Sequence, residues 1–137
     1  MTPDEARALL AIHSGSHPDA DDPRLANGFL DRLRPYRGLR EESFHEIMAC
    51  IAALADELAG DRLDRATVSA LWDICFLARL WGVDEGGMLR RNGLISADDV
   101  KRLAAWLECI SFAVMKLLAG VSVDTALADY RARHDKT

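Results

Sequence analysis

Apolar residues recur every three or four positions along nearly the whole of this 137-residue chain, and no run of β-branched residues alternates with polar ones as a strand requires. A stripe with that period buries itself only on a helix, so an all-α helical bundle is expected. The length suits a single helical domain, residues 1–137, able to bury most of its apolar surface in one core without a disulfide or a metal. No internal repeat or low-complexity tract divides it.

Capping residues cut the pattern into about six helices. Thr2-Pro3-Asp4-Glu5 combines an N-cap, a proline at the first helical position and a capping-box glutamate, which predicts a first helix from about Pro3 to His13. The segment SGSHPDADDPR interrupts it. Asp22-Pro23 then opens a second helix, with Leu25, Phe29, Leu30 and Leu33 on one face and an end before Pro35. Ser43 to Glu46 reads as a capping box for a third, whose stripe of Phe44, Ile47, Ile51, Leu54 and Leu58 runs to Gly60. The fourth, about Asp64 to Trp81, is apolar almost all round and is expected to be the most central. The fifth starts at Ser96 with Asp98 and Asp99 in its first turn and stops before Gly120. A short sixth covers Val123 to about Arg133. Helices three to five should form the middle of the bundle, with the terminal helices packed across them.

A net charge of -5 and a pI near 5.3 argue against a polyanion partner, so no nucleic acid is expected. MTPDEARALL lacks the basic start and continuous apolar run of a secretory signal, which points to the cytoplasm. The longest apolar run, 104–123, has the length of a membrane span, but Glu108 and Lys116 interrupt it; it reads as a buried helix, with no membrane partner. Cys50, Cys75 and Cys109 are odd in number and sit in helical apolar surroundings, as reduced core thiols do.

GGMLRRNGLISADD, residues 86–99, carries glycines, two arginines and an Asn-Gly pair ahead of a helix start. As a phosphate loop it lacks the lysine and hydroxyl after the last glycine, and Asp98 and Asp99 occupy the helix end an anion would need. Asn92 to Asp99 resembles the second half of an EF-hand calcium loop, which would make Asn92, Ser96 and Asp99 ligand positions. The first half departs from that pattern, with Met88 and Arg90 where carboxylates belong. The plainer reading is a left-handed Asn92-Gly93 turn, with Leu94 and Ile95 against the core and Ser96 capping the next helix. His45-Glu46 begins an H-E-x-x-H zinc motif but Ala49 replaces its second histidine, and Glu42-Ser43-Phe44-His45 has the E-x-x-H spacing of di-iron bundles without a second copy. His13, His17, Asp19, Asp21 and Asp22 gather near one loop with no diagnostic spacing; a solvated acidic loop accounts for them. No cofactor, metal or catalytic residue is assigned.

Two features remain. Arg32, Arg34, Arg37 and Arg40 surround Tyr36 in RLRPYRGLREE, a local basic patch of contact hot-spot composition on an acidic chain. Asp73, Arg79, Glu108 and Lys116 lie in the two most apolar helices, where unpaired charge is costly, so at least some should form buried structural pairs or reach an opening. The function expected is that of a small non-enzymatic interaction or regulatory protein, of adaptor or immunity type, binding a protein partner through Arg34, Tyr36, Arg37 and Arg40. A homodimer is an option, because the fourth helix has more apolar surface than its neighbours need. The alternative is a ligand-binding bundle with a polar pocket formed by Asp73, Arg79, Glu108 and Arg90.

Overall fold

The computed structural model describes residues 1–134 and is all-α, with no strand among them and a single isolated bridge between Leu33 and Tyr36. Helix α1 (Pro3–Ser14) begins as its capping box dictates: Thr2 Oγ1 accepts from the Glu5 N–H at 3.1 Å, and the Thr2 N–H donates to Glu5 Oε2 at 3.2 Å. Its buried face packs on both α2 (Glu41–Ala53) and α4 (Arg65–Ala78), with Ala6 and Leu10 fully enclosed. This gives the N-terminal helix a place in the middle of the bundle beside α2 and α4.

The second helix does not form. After Asp22 caps it, a 3-10 turn runs only from Pro23 to Asn27, and the chain then winds through turns to Arg40. A Cβ on Gly28 would lie 2.5 Å from the Ile12 carbonyl oxygen, so the chain here is pressed onto the end of α1. The N–H groups of the next two residues bond to α1 instead of to their own preceding turn: Phe29 N–H donates to His13 Nδ1 at 3.1 Å and Leu30 N–H to the His13 carbonyl at 3.0 Å. Phe29, Leu30 and Leu33 are buried as their spacing requires, but on a looped backbone. Tertiary bonds have overridden a helical pattern.

Helix α2 begins at Glu41, two residues before Ser43, without a side-chain cap. The expected capping box is absent because both of its members have other partners: Ser43 Oγ donates to the Asn27 carbonyl at 3.3 Å, and Glu46 bonds His13. A break at Leu54 separates α2 from the single turn α3 (Ala55–Leu58). Asp64 caps α4 through the Thr67 N–H and hydroxyl, at 3.1 and 2.7 Å. From α4 the chain continues as a π-helical turn, Arg79–Val83, and after the turn α5 (Met88–Arg91) enters α6 (Ala97–Leu118), capped by Ser96. The expected sixth helix is broken at Leu127 into α7 (Val123–Ala126) and α8 (Ala128–His134). Tyr130 fixes α8 to α2, its hydroxyl 2.6 Å from His45 Nδ1, over an aromatic stack of Phe44 on Trp106 with centroids 5.2 Å apart.

Candidate protein-interaction face

Helix α4 is not the enclosed helix its composition suggests. Its buried stripe, Thr67, Ala70, Leu71, Ile74 and Ala78, packs on α1 and α6, and none of the described residues covers the opposite side. Trp72 is 69% exposed and Phe76 53%, with Leu80 open one turn further on. Helix α6 continues the surface: Met115 is 55% exposed, and Phe112 and Leu118 are also open. Between the two helices runs a groove of about 320 Å³, lined by Val68, Trp72 and Cys75 on one side and Val114, Met115 and Leu118 on the other. Its lining contains no charged group. By length and composition the stretch Arg65–Arg91 is apolar enough to cross a bilayer. It also carries Asp73 and Arg79, whose charges would be costly in lipid.

The four charges of the two most apolar helices are not enclosed in the core. Arg79 and Glu108 are exposed, Asp73 and Lys116 half-buried, and none has an opposite charge within 4.0 Å among the described residues. They escape burial because each lies on the side of α4 or α6 that turns away from the core. Nor do Asp73, Arg79, Glu108 and Arg90 converge on one pocket. Glu108 edges a hollow with Cys109, Tyr130 and Arg133, and Arg90 donates to the Val83 carbonyl at 2.9 Å, closing the turn between α4 and α5.

The arginine segment is a braced turn around a cis Arg34–Pro35 peptide. Arg32 donates to the carbonyls of Gly38 and Arg37 at 3.1 and 2.5 Å. Arg37 binds the Asp31 carboxylate and the carbonyls of Ala26 and Asp31. Tyr36 donates its hydroxyl to Asp99 at 2.6 Å; burial and that carboxylate push its ionisation well above the ordinary phenol range. Arg34 lies over the Trp81 ring at 5.4 Å, and Arg40 reaches Ser43 at 3.4 Å. Of the four predicted contact residues, Tyr36 and Arg37 hold the turn together, while Arg34, Arg37 and Arg40 are exposed.

At residues 86–99 the left-handed turn is present, Gly93 at φ 66°, although Leu94 is exposed and only Ile95 packs against the core. The calcium-like positions have protein partners: Asn92 Nδ2 donates to the Met88 carbonyl, and Asp99 accepts from Tyr36. His45 and Glu46 part, the first to Tyr130 and the second to His13. In the N-terminal His/Asp group, His17 stays near Asp22 while His13 is buried in the core; no cluster of three metal-ligating side chains occurs among the described residues.

Sequence reasoning missed the pair His13–Glu46. Because Phe29 N–H donates to His13 Nδ1, the ring proton sits on Nε2 and is donated to Glu46 Oε1 at 2.8 Å. Burial depresses the His13 pKa, and Glu46 offsets only part of that effect, so the imidazole stays neutral. The ring thereby ties α1, the 28–30 segment and α2 together. Comparison with protein-family models, curated proteins and solved structures finds no match for this chain.

Proposed function

We propose that the chain is a non-enzymatic interaction or regulatory protein whose working surface is the open face of α4 and α6. The carrying observation is the exposure of Trp72, Phe76 and Met115 on one side of a folded domain that has a well-filled core elsewhere. Together with Leu80, Phe112 and Leu118 they leave on the order of 600 Å² of apolar surface open, at the top of the range for a monomer's largest patch. Tryptophan and methionine at the centre of such a face are the anchors that protein contacts use. The basic turn of Arg34, Tyr36, Arg37 and Arg40 is a second contact surface in this reading, held rigid before any partner arrives. A polar ligand pocket finds less support, since its four residues face separate spaces.

The test places a photo-cross-linking side chain at Trp72 or Met115 in cells making the protein, with exposed Arg62 as the control position. Adducts from the first two sites and not from the third are expected. Equal or absent adducts at all three would reject the face as the working surface.

A further inference from the structure

We infer that the α4/α6 face binds a second copy of this chain, with the two-fold axis running parallel to the helices so that α4 of each copy stacks on α6 of the other. The inference rests on the reading of this face as the contact surface and adds its occupant and register.

Two contacts set the levels of the residues on α4 and α6. A Cβ on Gly82 would lie 2.6 Å from Leu103, and Val68 to Cys75 share their groove with Ser111 to Leu118. The two helices therefore run antiparallel, with Arg79 level with the turn that carries Glu108 and Asp73 within one turn of the level of Lys116. Helical spacing then fixes the sides. On α4, taking the Trp72–Phe76–Leu80 stripe as the middle of the open face, Arg79 lies toward the groove and Asp73 on the outer edge. On α6, Glu108 lies near the middle of the open face, and Lys116, its ammonium 5.5 Å from the Phe112 ring centroid, lies on the outer edge.

Rotation about an axis parallel to the helices keeps every level and sets groove side on groove side. It brings Arg79 to the partner's Glu108 and Asp73 to the partner's Lys116, and by symmetry the reverse. All four charges left without an opposite partner in one copy acquire one in the pair. An axis across the helices would stack each helix on its own copy, match only Glu108 with Lys116, and leave Arg79 and Asp73 on opposite edges.

Two further observations favour self-association over a different partner. The chain carries a net charge of -5 and repels its own copy in general, yet along residues 66–80 of α4 and 105–118 of α6 the charges are two acids and two bases, with the further bases Arg65 and Lys101 near the N-terminal ends of the two helices. The open apolar area of the face, on the order of 600 Å² before the polar rim is added, approaches the roughly 800 Å² per partner of a standard stable interface.

The experiment uses Arg79→Glu and Glu108→Arg, both at exposed positions, with helicity checked by circular dichroism. Sedimentation velocity should find the parent chain dimeric and each variant at least about tenfold weaker in self-association, because each meets a like charge across both halves of the interface. An equimolar mixture of the two variants should recover the dimer: the two introduced charges are opposite and meet across one half of the interface, while the unchanged Arg79 and Glu108 still match across the other. A parent chain that stays monomeric overturns the inference, and so do single variants that dimerise normally or a mixture that stays monomeric. Adducts from Trp72 to a different protein, with the parent monomeric, would sink the second copy while leaving the face as the contact surface.

Discussion

Replacing His13 with leucine isolates what holds the looped 28–33 segment against α1. The ring is almost fully buried and uses both nitrogens, Nδ1 to receive the Phe29 N–H at 3.1 Å and Nε2 to donate to Glu46 at 2.8 Å. Leucine fills much of the volume but leaves the Phe29 N–H without an acceptor, worth about 1–3 kcal/mol, and removes the bond to a half-exposed carboxylate, worth about 1 kcal/mol after solvent screening. The expected loss is about 2–4 kcal/mol, or roughly 6–12 °C in Tm for a domain of this size. His13→Asn places an amide oxygen near the Nδ1 position and should cost only the Glu46 share, as should Glu46→Ala. The sign of the pH effect follows from the depressed pKa. The unfolded chain takes up the proton at an ordinary histidine pKa, near 6.5, and the folded chain only at lower pH. This contribution is therefore complete above pH 6.5 and is lost as the pH falls toward the folded value, with a limiting slope of about 1.4 kcal/mol per pH unit. Thermal and urea denaturation between pH 4 and 8 measures both effects. If His13→Leu costs no more than Glu46→Ala, or the His13→Asn variant keeps the full acid slope of the parent, the tether described here is wrong.

Two other outcomes are expected. Gly28→Ala drives a Cβ into the Ile12 carbonyl and should destabilise by about 1–3 kcal/mol in urea denaturation, whereas an unchanged midpoint would mean the segment is not pressed on α1. Burial pushes the Cys50 thiol up to about 12 and Cys75 up to about 11. At pH 8 iodoacetamide should therefore alkylate both at least about tenfold more slowly in the native protein than in denaturant, followed by mass spectrometry; equal rates would contradict their burial.

The sequence is most legible where structure is decided by neighbours along the chain. Thr2, Asp22, Asp64 and Ser96 all accept the N–H bonds that their positions predict, because a cap needs only the next three residues. The Phe29–Leu33 stripe reads correctly as core and wrongly as helix, since the N–H groups of Phe29 and Leu30 go to His13, sixteen or more residues away. Ser43 and Glu46 fit a capping box in sequence and serve other helices in space, a choice that local spacing cannot reveal. Helix α4 poses the opposite problem: apolar nearly all round, it gives no sign of which side is covered, so its pattern puts Trp72 and Phe76 in the core where the structure exposes them. Its surplus apolar surface is visible in composition; its alignment with Phe112, Met115 and Leu118 requires the antiparallel placement of α6.

Sedimentation equilibrium of the intact chain beside Trp72→Glu decides whether the α4/α6 face joins two copies of the chain. The parent should have a mass of twice 15.1 kDa that falls to 15.1 kDa in the variant without loss of helicity. A parent that remains at 15.1 kDa across the accessible concentration range, or a dimer indifferent to a charge at Trp72, would contradict pairing through that face.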